Sequence, residues 1–213
     1  QQVPHGLTQS PSFMITKVID DIASWYCYHK DLDPTNPQDY YLILNDNDDK
    51  DTLTNAWGTN PPDNTTFGDR QVGWGDGKDV ISYIWHDVPG LQKFGIYEGN
   101  ADANGNGPYV ELGFRPALLW IKSTGAQGNW VVVDTQRDQY NPVQSKLYAD
   151  YNGQENVSNP PGDSASLNNL DILSNGFKLR SNNSWTNSAQ TYIYCAWAEA
   201  PTVNLYGGQS NAR

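Results

Sequence analysis

Positive charge is scarce in this chain: 13 Lys and Arg face 24 Asp and Glu over 213 residues, a formal net charge of −11. No Lys/Arg cluster interrupts the acidic surplus, so a phosphate backbone would be repelled over most of the surface, which argues against nucleic acid as a partner. Apolar runs are short. None approaches the roughly 18 residues that a membrane-spanning helix needs, and no signal-peptide pattern opens the chain, so no membrane insertion is expected. The chain begins Gln1-Gln2 rather than with Met, which reads as a fragment, a processed form or the ordered part of something longer. Cysteine is limited to Cys27 and Cys195, each among aromatic neighbours, and no second Cys or His lies at ligand spacing. That excludes a disulfide scaffold and a zinc site, and buried free thiols are the expectation. Histidine occurs only as His5, His29 and His86, and no Gly-x-Ser-x-Gly elbow is present, so the parts of a nucleophile-and-base enzyme are missing.

What the chain does have is aromatic and turn-forming: 8 Trp, 13 Tyr, 19 Gly and 13 Pro. It also repeats itself. A shift of 105 residues lays Pro11–Asn47 on Pro116–Asn152 without a gap, matching Pro11/Pro116, Lys17/Lys122, Trp25/Trp130, Asp33/Asp138, Asn36/Asn141, Pro37/Pro142, Leu42/Leu147 and Asn47/Asn152. Further on the shift becomes 112, with Ile81, Trp85, Asp87 and Pro89 on Ile193, Trp197, Glu199 and Pro201. The extra residues of the second copy are expected around Asn156–Ser166, which is rich in Ser, Pro, Gly and Asn.

The repeat decides an ambiguous segment. Ile15, Val18, Ile19, Ile22 and Tyr26 sit at helical spacing, but the second copy carries Gly125 and Gly128 in the middle of the corresponding stretch. Two strands around a turn satisfy both copies. Ser12–Lys17 with Ser24–His29, and Leu118–Lys122 with Trp130–Asp134, are therefore predicted as hairpins. Short aromatic and β-branched runs add Tyr40–Leu44, Val80–His86, Phe94–Tyr97, Tyr109–Phe114, Lys146–Ala149, Gly176–Arg180 and Tyr192–Ala198. The fold class is all-β: an antiparallel β-sandwich of lectin-like or jelly-roll type, built from two tandem units, 1–108 and 109–213, packed as one globular domain.

Several pieces then follow one another in a characteristic order: Trp25-Tyr26-Cys27-Tyr28-His29-Lys30, Lys93-Phe94-Gly95-Ile96-Tyr97-Glu98-Gly99-Asn100, Gly107-Pro108-Tyr109-Val110, Gly113-Phe114-Arg115-Pro116-Ala117 and Leu173-Ser174-Asn175-Gly176-Phe177-Lys178-Leu179-Arg180. With Tyr192-Ile193-Tyr194 and Asn211-Ala212-Arg213, the chain resembles a C-terminal module of tail-fibre and related appendage proteins of marine bacteriophages. The resemblance implies an extracellular, virion-borne domain that contacts a host cell-surface glycan, in trimeric particles alongside other virion proteins. It brings no catalytic residues and implies that the chain ends at its native C-terminus. It also implies that the first copy lacks its opening strand, which upstream residues or a neighbouring chain would supply. A structural decoration domain without ligand is the alternative function, and a polysaccharide depolymerase is the third.

The candidate glycan residues are Trp74, Trp185, Trp57 and Asn183. Trp74 and Trp185 occupy corresponding Gly- or Asn-rich loops, where an exposed ring can stack on a sugar; folding back as a lid, or packing between protomers, are the other two readings. Trp25, Trp85, Trp120, Trp130 and Trp197 lie inside strand patterns and are expected in the core. Asn100, Asp102, Asn104 and Glu111, with Gly105, match the spacing of a calcium loop, although Asn stands first and the flanks read as strands. No other cofactor is expected. The acidic run Asn45–Asp51 reads as a solvated loop, Arg137 as a turn buttress between Asp134 and Asp138, and Asp87/Glu199 as the one carboxylate pair formally open to glycoside chemistry.

Overall fold

The alternation of large apolar side chains along each predicted strand leaves two faces to bury, and the molecule buries both. A computed structural model describes residues 2–68, 77–153, 170–199 and the pairs Thr202–Val203 and Gln209–Ser210. In chain order the strands are β1 (Gln2–Pro4), β2 (Phe13–Val18), β3 (Tyr26–His29), β4 (Tyr40–Ile43), β5 (Asp51–Thr52), β6 (Thr66–Gly68), β7 (Val80–Trp85), β8 (Gln92–Glu98) and β9 (Tyr109–Glu111). They continue as β10 (Pro116–Ser123), β11 (Val131–Asp134), β12 (Leu147–Tyr148), β13 (Leu170–Leu173), β14 (Gly176–Leu179), β15 (Thr191–Ala198), β16 (Thr202–Val203) and β17 (Gln209–Ser210). The helical content of the described residues is a single 3-10 turn, Pro37–Asp39. The segment with helical spacing is the β2–β3 hairpin, as the repeat required.

Two five-stranded antiparallel sheets form the body, ordered β5-β4-β3-β2-β7 and β12-β11-β10-β15-β8. Their registers coincide under the sequence repeat. Phe13 faces His29 and Ile15 faces Cys27 in the first sheet, while Leu118 faces Asp134 and Trp120 faces Val132 in the second. Phe13 faces Trp85 where Leu118 faces Trp197, and Val18 faces Val80 where Ser123 faces Tyr192. Two smaller sheets, β1-β6 and β13-β14-β9, complete the layers, and the short β16–β17 ribbon stands apart from all four.

Three clusters of buried side chains show how these layers stack. Phe13, Ile15, Cys27 and Leu42 meet Phe94, Trp130, Ile193 and Cys195 between the two large sheets. The opposite face of the first sheet puts Met14, Tyr28 and Tyr41 against Trp57 and Phe67, under β6. The opposite face of the second puts Leu119, Ile121, Val131 and Tyr194 against Val110, Phe177 and Leu179 of the β13-β14-β9 sheet. Each strand of the body thus serves two cores by alternation, Phe13 and Ile15 on one side and Met14 on the other. The fold is all-β, with antiparallel sheets packed as in a β-sandwich.

Strand β8 belongs to the first 108 residues by sequence, yet it pairs along its whole length with β15 in the second sheet, Gln92 on Trp197 through Glu98 on Thr191. The sheets therefore do not divide at residue 108. Both cysteines are buried and free, Cys27 and Cys195 lying in the inter-sheet core, where burial pushes both thiols well up. The expected insertion around 156–166 lies outside the described residues.

Trp25 corrects the expectation that all strand-embedded tryptophans are core. It is 36% exposed, while its repeat equivalent Trp130 is 0% exposed, packs on Phe13 and Trp120, and donates Nε1–H to the Ile43 carbonyl at 2.9 Å. The first unit covers Trp130 in the inter-sheet core, and Trp25 has no place in any of the three buried clusters. Trp130→Ala should cost about 3–5 kcal/mol in urea unfolding, the range for deleting a buried aromatic, and Trp25→Ala should cost under about 1.5 kcal/mol.

Candidate functional site

Of the candidate glycan residues, the three that the structure describes are not available as stacking platforms. Trp185 is 4% exposed, in the core cluster of the second unit, edge-on to Tyr148 at 5.4 Å and close beneath Gly128, where a Cβ would meet its ring at 3.1 Å. Its backbone N–H is held by Asn183 Oδ1 at 2.8 Å, and Asn183 is itself buried, so both residues close the loop rather than present it. Trp57 is 0% exposed, edge-on to Tyr28, with Nε1–H on the Tyr40 carbonyl at 2.8 Å. These three placements correct the glycan-contact expectation, and the physical reason is shared: a large ring gains more from a neighbouring core than from water. Trp74 lies outside the described residues.

The calcium-type loop is closed on its own amides. Asp102 Oδ1 accepts the N–H of Asn104 at 2.7 Å and of Asn106 at 3.1 Å, and Asn100 Oδ1 accepts from Asp102 N and from Asn187 Nδ2, both at 3.1 Å. Glu111 sits in β9 opposite Gly176. The arrangement is a chain of Asx turns connecting β8 to β9, and among the described residues no three His, Cys, Asp or Glu side chains gather to hold a metal.

The acidic run is solvated as expected in its side chains, with Asn45, Asn47, Asp48, Asp49 and Asp51 exposed, but its backbone is docked on the second unit. Lys122, 0% exposed within β10, donates Nζ–H to the carbonyls of Asn47 at 3.2 Å and Asp48 at 2.6 Å. Gly128 N–H reaches Asn47 O at 2.8 Å, and Gln127 Nε2 reaches Asp48 Oδ1 at 2.8 Å. The cation this run holds is the chain's own. Burial lowers the Lys122 pKa to about 8, against the pull of Asp150, Asp49, Asp48 and Asp46, so the ammonium remains charged at neutral pH and clamps the first unit to the second. Arg137 is a buttress as expected, with Nε–H on Asp134 Oδ2 at 2.6 Å.

What the folding does bring together is a pair of open polar clefts at the same corner of each unit. The first, about 430 Å³, is bounded by Gln9, Ser10, Tyr28, Lys30, Pro37, Pro61, Pro62, Asn64 and Asp87. The second, about 350 Å³, is bounded by Arg115, Thr135, Gln136, Gln139 and Glu199. Ser10 maps onto Arg115 and Lys30 onto Thr135 by the shift of 105, and Asp87 onto Glu199 by that of 112, so the clefts are related by the repeat. In the first, Lys30 pairs with Asp87 Oδ2, Asp87 Oδ1 accepts the Phe94 N–H at 2.8 Å, and Ser10 Oγ donates to Asn64 Oδ1 at 2.8 Å. Asp87 is thereby tied to the backbone of β8, and it and Glu199 line different clefts. Sequence reasoning singled out this acid pair but not the clefts, because Gln9, Pro61 and Asn64 come from loops whose approach to Lys30 depends on the β1–β6 layer.

One family profile, described as a domain of unknown function (DUF7483), matches residues 1–201. The chain belongs to the DUF7483 family. No curated protein and no solved structure matches it. The matched region of this DUF7483 domain covers both clefts and both large sheets.

His29, its ring against Phe13, is 0% exposed, its Nδ1 accepting the Asp31 N–H at 3.1 Å, and burial holds its pKa down at about 3. Asp150 moves the other way, pushed by burial up to about 6 despite the Trp130 N–H on its Oδ1 at 3.0 Å.

Two outcomes follow from these environments. Trp185→Ala should lower stability by about 3–5 kcal/mol in chemical unfolding. As pH falls from about 6.5 toward 4.5, the unfolded chain takes up a proton at residue 29 that the folded chain refuses, so His29 destabilises; Asp150 takes one up in the folded state first and stabilises. The parent protein should therefore show offsetting slopes, and His29→Gln should gain about 1–2 kcal/mol over that interval in urea midpoints. A variant whose midpoint is flat with pH would show that the Asp150 shift is absent.

Proposed function

We propose that the chain is a non-catalytic, carbohydrate-binding module of an extracellular appendage, the kind that the tail-fibre resemblance implies, with the saccharide held in the first cleft. The observation that carries this reading is the composition of that cleft. Pro37 and Pro61 give an apolar wall for the CH face of a sugar ring, while Gln9, Ser10, Lys30 and Asn64 converge as hydrogen-bonding groups for its hydroxyls. The volume suits one or two sugar rings. Its repeat equivalent at Arg115, Thr135, Gln136 and Gln139 offers a second, more polar subsite, so binding gains from multivalency as well as from contacts. The non-catalytic part of the reading rests on the acids: Asp87 and Glu199 line separate clefts, whereas glycoside hydrolysis needs both carboxyls across one bond.

A second reading, a structural assembly module, is favoured by the exposed apolar edge of the first sheet at Val80, Ile81 and Tyr83. A glycan array separates the two. The parent protein should retain a defined class of glycan, and the double variant Gln9→Ala/Asn64→Ala should bind it about tenfold more weakly, the loss of one or two hydrogen bonds, with an unchanged melting temperature. A parent protein that retains no glycan leaves only the assembly reading.

A further inference from the structure

The contact between the two units is asymmetric, and the repeat places a copy of each of its sides on the other unit. In the second unit the β10–β11 hairpin supplies donors. Lys122 Nζ–H reaches the carbonyls of Asn47 and Asp48, Gly128 N–H reaches the Asn47 carbonyl at 2.8 Å, and Gln127 Nε2–H reaches Asp48 Oδ1 at 2.8 Å. Trp130 Nε1–H, immediately before β11, reaches the Ile43 carbonyl at 2.9 Å. In the first unit the end of β4 and the segment after it accept these bonds.

Carried back by 105 residues, Lys122, Gln127, Gly128 and Trp130 become Lys17, Ile22, Ala23 and Trp25 of the β2–β3 hairpin. Carried forward, Ile43, Asn47 and Asp48 become Tyr148, Asn152 and Gly153. Three identities of the repeat, Lys17/Lys122, Trp25/Trp130 and Asn47/Asn152, are thus residues of this contact, yet within one chain only one member of each pair takes part in it. Trp130 is 0% exposed, whereas Trp25 is 36% exposed, just before the central strand of its sheet. Lys17 is folded back onto the carbonyls of Val18 and Asp21, and Asn152 is exposed. The first hairpin is also the more apolar at its tip. Ile22 stands where the second has Gln127 and is 101% exposed, and Ile19 stands where it has Thr124 and is 65% exposed. Two isoleucines and a tryptophan held open on one hairpin mark an interaction surface.

We infer that the β2–β3 hairpin of one copy of this chain docks on residues 148–153 of a second copy, so that neighbouring chains repeat the contact that joins the two units within each chain. The occupant is a second copy because the seat for such a hairpin is already built and engaged at residues 43–48 of the first unit, and the second unit carries its counterpart. In the array Trp25 meets the Tyr148 carbonyl as Trp130 meets that of Ile43, and Lys17 leaves its own hairpin for the carbonyls of Asn152 and Gly153. Within the chain, covalent linkage holds the units together and a polar pair such as Gln127–Asp48 suffices. Between chains that advantage is lost, and burial of Ile22 against Gly153 and the exposed Tyr151 takes its place. Lys78 pairs with Asp21 at 2.9 Å, which reduces the repulsion an acidic hairpin tip meets on an acidic copy. The two docking sides differ, so the association is head-to-tail and closes into a ring or extends as a filament. It stands independently of a saccharide in either cleft.

Sedimentation of the whole chain and cross-linking of cysteine variants test this. The whole chain should self-associate at micromolar concentration. Ile22→Asp and Trp25→Ala should each weaken that association by about tenfold or more, the scale of a lost apolar anchor. At a fully exposed position Ile22→Asp leaves the melting temperature unchanged, so its effect is read on association alone. Tyr140→Ala, at a site that is 84% exposed elsewhere on the surface, should associate like the parent. An Ile22→Cys/Gly153→Cys chain treated with a short bismaleimide should give a ladder of linked chains, and Ile22→Cys alone should give none, the native cysteines being buried. A whole chain that stays monomeric overturns the inference. So does self-association that Ile22→Asp leaves intact, and so do dimers linked through Ile22→Cys alone, which would set hairpin against hairpin.

Discussion

The contact on which the rest of this structure depends is the aromatic layer between the two five-stranded sheets. Phe13 stacks on Phe94 at 5.8 Å and on Trp85 at 5.6 Å, Phe94 meets Trp197 edge-on, and Trp120 bridges Trp130 to Trp197. Rings from both units interleave, so neither large sheet buries this face alone. Such pairs add specific geometry to a large hydrophobic contribution. The two sheets are consequently one body, although the sequence reads as two copies.

A polar clamp sits at the side of this layer. Lys122 lies where the repeat places Lys17, but the two lysines do different things: Lys17 reaches the carbonyls of Val18 and Asp21 in its own hairpin, whereas Lys122 reaches across to Asn47 and Asp48. Duplication supplied the same residue twice and the packing of one unit on the other gave the second copy a new partner. Asn45 and Asp150 tell a similar story. Each accepts the backbone N–H of the equivalent tryptophan, Trp25 or Trp130, but only the second is a buried carboxylate with a raised pKa.

For function, rigid coupling matters because it fixes the spacing of the two clefts. On the proposed saccharide-binding reading, a ligand with repeating units would engage both at a set distance, which favours polymers over single sugars. On that proposed reading, adhesion by many weak contacts would need only modest affinity in each, which suits open, polar, shallow sites of this kind.

The strand pattern, the turn positions and the duplication were legible in the sequence, because period-two alternation and punctuation by Gly, Pro and Asn are local properties. The repeat went further: it identified the β2–β3 hairpin against a helical spacing of Ile15, Val18, Ile19 and Ile22, and its offsets hold residue for residue in the sheet registers. Short strands without such a signal, β1, β5, β6, β13, β16 and β17, are not legible in the sequence. Which tryptophans face water was decided only in three dimensions. Trp185 and Trp57 sit on loops with all the marks of exposure and are buried, while Trp25 sits in an apolar strand motif and is partly exposed. The same holds for the acidic run docked on Lys122 and for the clefts at Lys30 and Arg115. Burial depends on what other layers deliver to a position, from residues dozens of places away. Local sequence determines which face a side chain takes, and tertiary packing alone determines whether anything covers it.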